Sequence, residues 1–149
     1  MTADMLRLDA FIPFRLSVTS NMVSETIAST DQALFALTIP EWRLIAVIAE
    51  NAGTTQQQVG RRTGMDKVTV SRAALALVER GLIERRPHAS DRRSQLLHLT
   101  TSGHDLYAAV APKALELERR IFADFDPKEV AAFGAMLLRV QEATLAVRG

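Results

Sequence analysis

The chain has 149 residues, of which 48% are hydrophobic and 23% charged, and it contains no cysteine. This length and apolar content are typical of one folded domain with a proper core, and they exclude an intrinsically disordered chain. The lack of cysteine excludes disulfides, thiolate zinc sites and cysteine-based redox sensing, and it fits a reducing cytoplasm.

The charge is unevenly distributed, although the formal net charge is only +1. Residues 1–51 carry three bases against six acids, residues 52–93 carry nine against four, and residues 94–149 carry six against seven. A basic middle between acidic flanks indicates either a site for a polyanion or merely a solvated surface. No run of about 20 apolar residues and no signal-peptide pattern is visible, so we expect a cytoplasmic protein without a membrane partner.

The first third of the chain predicts one long helix from about Asp9 to Leu37. Apolar residues recur there at helical spacing in two stripes rather than one. A helix with two apolar faces is expected to pack on its own domain with one face and on a partner subunit with the other. The stripes consist of Phe11, Phe14, Val18 and Met22, and of Ile12, Leu16, Val23 and Ile27.

Two capping boxes mark the helices that follow. Thr38-Ile39-Pro40-Glu41 begins a helix that is expected to run to about Asn51. Thr55-Gln56-Gln57-Gln58 begins a short helix through Arg62, and the next helix begins after Asp66, a good N-cap. Two helices joined by a short turn that contains glycine are a helix-turn-helix.

The second helix of this motif has an apolar face and a polar start. Val70, Ala73, Ala74, Leu77 and Val78 recur at helical spacing and predict the buried face. Four residues near the N-terminus fall outside that face and are able to reach base edges or phosphates; these are Lys67, Thr69, Ser71 and Arg72. The opening residues of the preceding helix, Thr55, Gln56 and Gln57, are expected to hold a phosphate, although capping alone explains Thr55.

A basic hairpin follows Gly81, which suits a left-handed helix end. The segments 82–86 and 95–99 are strand-like, and Arg85 and Arg86 are expected to touch phosphates or to solvate the strand. Arg92 and Arg93 at the tip are suited to a narrow minor groove. Asp91 is predicted to stiffen the tip by pairing with Arg93 or a nearby base, or else to be only a turn residue.

Two further helices are expected after the hairpin. Thr100 caps one that continues to about Phe122, and Asp126-Pro127-Lys128-Glu129 begins another that runs to about Val147. The predicted fold is therefore mainly α with a small β-wing. A winged helix-turn-helix at 38–100 lies between dimerisation helices at 1–37 and 101–149, all in one compact unit.

Four blocks of this sequence resemble the MarR family of bacterial transcriptional regulators. They are Asp66–Arg72, Leu77–Ile83, Asp91–Arg93 and Leu99–Gly103, in this order and at the family's spacing. The resemblance covers nearly the whole chain. It implies a homodimer held by its terminal helices, a recognition helix in the major groove and a wing at the minor groove. Often the family also has a small-molecule pocket between the dimerisation and DNA-binding parts.

The segment Phe11–Ser17 resembles a subgroup tied to aromatic-acid catabolism. Arg15 lies in this otherwise apolar segment and could bind a carboxylate by paired hydrogen bonds, with Ser17 and Trp42 in the same pocket. The alternative is an arginine at the rim of a dimer. The lack of cysteine departs from the peroxide-sensing branch of the family.

The sequence therefore predicts a transcriptional regulator, a repressor of the MarR type that leaves a near-palindromic operator when an aromatic carboxylate binds. A ligand-independent or architectural DNA-binding protein and a winged helix used for protein contacts remain alternatives. A small helical enzyme is disfavoured, because no nucleophile–base pair or phosphate loop is present. No cofactor or metal is expected, since His88, His98 and His104 lack zinc spacing.

Overall fold

The computed structural model describes residues 4–91 and 93–149, apart from the side chains of residues 30–35. A 3-10 turn at Leu8–Ala10 precedes the regular elements. These are α1 (Ile12–Phe35), α2 (Ile39–Glu50), α3 (Gln56–Thr63), α4 (Lys67–Glu79), β1 (Ile83–Pro87), β2 (Gln95–Leu99), α5 (Thr101–Ile121) and α6 (Pro127–Arg148). The order of the elements and the mainly α fold class with a small β-wing are confirmed.

The predicted capping boxes fix where three helices begin. The Thr38 amide donates to a Glu41 carboxylate oxygen at 2.9 Å, and the Glu41 amide donates to the Thr38 hydroxyl at 3.3 Å. The same reciprocal pair forms at the start of α3 and at the start of α6. Each box satisfies amides that have no partner inside the helix, so the helix start is set by the local sequence.

Two boundaries differ from the sequence-based expectation. The first helix begins at Ile12 rather than near Asp9, with Pro13 in its first turn, where an absent amide donor costs nothing. Strand β1 covers Ile83–Pro87 rather than 82–86 and pairs antiparallel with β2. The first strand of the wing therefore lies one residue later than predicted, and the second strand has the predicted bounds.

A third short segment joins the wing and was not predicted. Thr54 forms an isolated antiparallel bridge with Leu97. The Leu97 amide donates to the Thr54 carbonyl at 2.7 Å, and the Gly53 amide donates to the Leu97 carbonyl at 3.0 Å. The loop before α3 is therefore hydrogen-bonded to β2, which fixes the wing relative to the helix-turn-helix.

The chain consists of two compact units, Met1–Lys113 and Ala114–Gly149. The core of the first lies where α2, α3, α4 and the wing meet. Gly103 in α5 lies so close to the Leu82 carbonyl oxygen that an added Cβ would come within 2.0 Å of it. The fully buried large side chains are Leu37, Leu44, Ile45, Ile48, Val59, Val70, Leu77, Ile83, Leu97 and Val110.

In the second unit, Phe122 contacts Phe125 and Phe133 at ring-centroid distances of 5.6 and 6.3 Å. Helix α6 leaves its apolar residues exposed, including Leu138 and Leu145. Among the described residues it is the one helix long and apolar enough to cross a membrane by length and composition. Arg139 and Glu142 interrupt its middle, where charges are costly in lipid, so this is weak evidence for a membrane.

Candidate nucleic-acid interface

Helix α4 presents one exposed face and buries the opposite one. Val70, Ala73, Ala74 and Leu77 face the core. The exposed positions follow the same helical spacing on the other side. Apart from Lys67 at the helix start, they are Val68, Ser71, Arg72, Leu75 and Glu79. Three of the four predicted base-contacting residues are therefore solvent-accessible, while Thr69 is half-buried.

The start of α4 is fixed by Asp66. Its carboxylate accepts a hydrogen bond from the Thr69 amide at 2.7 Å. This bond, together with one from the Thr69 side chain, holds the pKa of Asp66 below its usual range, and the positive charge of Arg72 lowers it further. The carboxylate is ionised at neutral pH, so it places a negative charge at the positive end of the helix dipole as well as capping the helix.

Lys67 and Arg72 are free to bind another molecule. Within the described part of the chain, neither makes an ion pair within 4 Å or a side-chain hydrogen bond. An arginine at this position of a helix that enters the major groove can donate two hydrogen bonds to guanine. Ser71 lies one residue before Arg72 on the exposed face and adds a short-range donor and acceptor.

The wing tip is held by its own side chains. Asp91 accepts from the Arg93 amide at 2.9 Å and from the Ser94 hydroxyl at 3.1 Å. His88 Nδ1 accepts from the Ser90 amide at 3.2 Å. Asp91 thus orders the tip as a turn residue, through the backbone of Arg93, and the exposed guanidinium of Arg93 makes no described ion pair. The predicted contact Arg92 lies outside the described residues.

The two arginines of β1 differ in their surroundings. Arg86 donates from Nε and Nη2 to the same carboxylate oxygen of Glu84, at 3.0 and 2.6 Å. Arg85 is exposed, and no described carboxylate pairs with it. Arg85 is consequently the stronger candidate for a phosphate contact, because Arg86 would first have to leave an exposed partner.

The N-terminus of α3 offers exposed polar groups as well. The Thr55 hydroxyl accepts from the Gln58 amide at 3.2 Å, so it is already used in capping. Gln57 is exposed and Gln56 half-buried, and their amides lie in the first turn. A phosphate could bind there through amides that the helix itself cannot satisfy.

The candidate ligand residues are spread over two helices. Arg15 and Ser17 are exposed on α1, and Trp42 on α2 is half-buried and stacked on Tyr107. A cavity of about 400 Å³ lies between the second half of α1 and the start of α2, with Glu25, Ser29 and Leu37 in its wall. A second, polar cavity of about 360 Å³ lies beside α3. None of the three predicted residues lines either cavity.

Two exposed apolar residues of this face, Val68 and Leu75, were not among the predicted contacts. Val68 lies outside the buried face that Val70 and Ala73 define. Its spacing of three and four residues from Ser71 and Arg72 was a sufficient signal to group it with them.

An exposed helix with free cations, preceded by a second helix and followed by a stiffened basic hairpin, defines a winged-helix DNA-binding protein. The model of the MarR family matches residues 37–94, which run from α2 to the wing tip. The chain belongs to the MarR family of transcriptional regulators.

Individual proteins are also similar to this chain. An uncharacterised protein of Mycobacterium tuberculosis is 34% identical over 107 residues, which are 72% of this chain and 74% of that protein. The crystal structure of a MarR/EmrR family transcriptional regulator from Acinetobacter sp. ADP1 has a TM-score of 0.86 at 24% identity and covers 93% of this chain and 98% of that one.

A third similar protein is known with a ligand. CouR from Rhodococcus jostii RHA1, bound to p-coumaroyl-CoA, has a TM-score of 0.79 at 22% identity. The match covers 91% of this chain and 95% of CouR. At this identity the likeness shows the fold alone.

Proposed function

We propose that this protein is a homodimeric, cytoplasmic repressor that binds a near-palindromic DNA operator and is released by a small aromatic carboxylate. The observation that carries the DNA part is the exposed face of α4. Lys67 and Arg72 project from its first turns without described ion-pair partners, beside a wing tip that Asp91 stiffens. Free cations on both a helix and a hairpin suit base contacts in one groove and backbone contacts beside it.

The homodimer is supported by the apolar residues that the protomer leaves exposed on α1 and α6. Met22 on α1 and Leu145 on α6 are 64% and 62% exposed. Large exposed apolar surfaces mark protein or membrane contacts. A second copy of the chain would bury these residues and would present two recognition helices related by a two-fold axis.

The test of DNA binding is selection of duplexes from a random library by the purified protein, followed by gel shifts. The expected product is an inverted repeat whose half-site centres lie about 34–36 Å apart. Arg7→Ala, which changes an exposed residue that precedes α1, serves as the matched control and should select the same repeat. Failure to enrich any sequence, or enrichment of a single asymmetric half-site, would contradict the proposal.

The ligand part is supported by the sequence of α1, because the wall of the cavity between α1 and α2 does not include Arg15, Ser17 or Trp42. Arg15 follows Phe14 in a largely apolar segment, and its guanidinium would pair with a carboxylate. Arg80 at the end of α4 donates to the Ala36 carbonyl at 3.0 Å, so the junction between α1 and α2 contacts the recognition helix. A ligand that shifts this junction would alter how α4 is presented, provided that it prefers one geometry over the other.

The ligand test titrates benzoate- and cinnamate-like acids into the complex with the selected duplex. A coupling of about 1–3 kcal/mol would lower operator affinity roughly 5- to 150-fold. Arg15→Ala should lose this response and Arg7→Ala, which precedes the helix, should keep it. If no acid weakens the wild-type complex, the protein is a ligand-independent regulator, and an undiminished response in Arg15→Ala would remove Arg15 from the site.

A further inference from the structure

Val68 is an apolar side chain in the part of α4 that is otherwise polar and charged. It is 57% exposed, whereas Val70, two residues later on the same helix, is 1% exposed. It lies in the first turn of the helix, directly after Lys67. The core does not use Val68, so packing of the protomer gives no reason for a β-branched apolar residue at this position.

The neighbours of Val68 on the helix surface are Ser71 and Arg72, three and four residues later. All three are exposed and form one short face near the capped end of α4. The nearest exposed apolar residue on the same face is Leu75, seven residues along, or about 10 Å along the helix axis. Val68 is therefore a single apolar group between hydrogen-bonding groups, rather than part of an apolar patch large enough for a protein partner.

The floor of the DNA major groove offers one apolar group, the 5-methyl of thymine. If Arg72 and Ser71 meet base edges, the isopropyl group of Val68 faces the same groove, because the three residues share one exposed face of α4. We propose that Val68 is a specificity-determining residue that reads a thymine in each half-site through contact with its 5-methyl group. This inference rests on the proposed function and adds to it the identity of one base in each half-site, a thymine that Val68 contacts.

The contact would be modest in strength but selective. Removing one methyl group from an apolar contact weakens binding by a factor of about four. Uracil has the thymine ring without the 5-methyl and keeps the same hydrogen-bonding edge. Replacement of the critical thymine by deoxyuridine should therefore lower wild-type affinity roughly three- to tenfold, with no change at the other thymines that Val68 does not reach.

The experiment is a double-mutant cycle on the duplex selected by the wild-type protein. Each thymine of a half-site is replaced in turn by deoxyuridine, and affinities are measured for wild type, Val68→Ala and Leu75→Ala. We expect one thymine whose replacement weakens the wild type and Leu75→Ala, but changes Val68→Ala less than twofold. Val68→Ser, whose side chain carries no methyl group, allows the same cycle if Val68→Ala binds too weakly to measure.

The outcomes separate this inference from the proposed function. A selected inverted repeat with no thymine sensitive to deoxyuridine, or one to which Val68→Ala is equally sensitive, would overturn the role of Val68 while leaving operator binding intact. Failure of the wild type to select any sequence would overturn both. A thymine that depends on Leu75 rather than on Val68 would likewise refute the assignment.

Discussion

Arg72 and Arg93 carry the same side chain but are presented by different backbones. Arg72 projects from a helix whose start is fixed by Asp66, whereas Arg93 projects from a hairpin tip whose backbone is fixed by Asp91. A rigid helix in a groove can place a guanidinium against one base, and a narrow ribbon can place it against the backbone or the minor groove. The two residues should therefore contribute differently to specificity.

Arg72→Ala is expected to weaken binding to the selected operator by about 1–3 kcal/mol and to leave non-specific binding nearly unchanged, because base contacts carry the sequence information. Arg93→Ala should weaken operator and random DNA to a similar extent and should reduce the salt dependence of binding by about one unit of slope. The measurement is a salt titration on both DNAs. Equal losses for Arg72→Ala on operator and random duplex would place that side chain on the phosphates.

Asp66 should make the stability of the protein depend on pH. The Thr69 amide holds the folded-state pKa of Asp66 below its unfolded value. The cap therefore stabilises the folded state above the unfolded pKa, and this contribution is lost as the pH falls through the folded pKa. Asn is a comparable N-cap without a charge.

Asp66→Asn should accordingly be less stable than the wild type near neutral pH, and the difference should shrink below about pH 4. Urea unfolding of both proteins over this pH range measures the difference. Asp124→Asn, which changes a carboxylate with no described cap or ion pair, is the control for the loss of one negative charge. A gap for Asp66→Asn that stays constant with pH would show that the hydrogen bond alone matters.

At the junction between the wing and α5, Gly103 makes the closest contact of any glycine in the described chain. The Thr100 hydroxyl donates to the Gly81 carbonyl at 2.6 Å, and Gly103 lies directly against Leu82. A methyl group there would collide with backbone, which cannot move without displacing β1. The position of the wing thus depends on the absence of one side chain.

Gly103→Ala is expected to destabilise the protein by about 3 kcal/mol, the upper range for overpacking. Gly134→Ala in α6 is the matched control, since nothing lies within 4 Å of the added methyl, and it should stabilise by about 0.5–1 kcal/mol through helix propensity. Thermal unfolding of the two variants compares them. Equal effects of both substitutions would show that the wing shifts to accept the extra group.

The helices could be predicted closely because their signals are local. Capping boxes at Thr38, Thr55 and Asp126 and the left-handed glycines at Gly64 and Gly81 specify ends within a few residues. The bridge between Thr54 and Leu97 could not be predicted, because it joins residues far apart in sequence and depends on how β2 packs. The sequence also did not distinguish Arg86, which pairs with Glu84 two residues earlier, from Arg85, which has no described ion-pair partner.

The candidate site was predicted by residue type more than by exposure. Lys67, Ser71 and Arg72 were identified from the polar side of a helical pattern, and the structure leaves them exposed. Val68 was not grouped with them, although it too lies outside the buried face of α4. The ligand-binding residues were harder to predict from the sequence, because a pocket is formed by elements that meet only in the folded structure. The ligand site at Arg15, Ser17 and Trp42 stays a prediction.

At the scale of the whole molecule, exposed apolar surface governs assembly. Light scattering should give a particle of twice the 16.4 kDa chain mass at micromolar concentration. Leu145→Glu in α6 should shift the protein towards monomer, because a charge would be buried in the interface without a partner. Leu75→Glu alters an exposed leucine on the recognition helix and should remain dimeric. A wild type that is mainly monomeric would refute the dimer.

The stacked pair of Trp42 and Tyr107 has a consequence for how the protein can be observed. Trp42 is the only tryptophan of the chain, and its ring lies 5.9 Å from that of Tyr107, the only tyrosine, with an angle of 18° between the planes. All indole fluorescence therefore originates at the contact between α2 and α5, and light absorbed by the phenol is transferred to the indole there. Unfolding of the first compact unit, or a change at this contact, can be followed in unlabelled protein by a signal from one place.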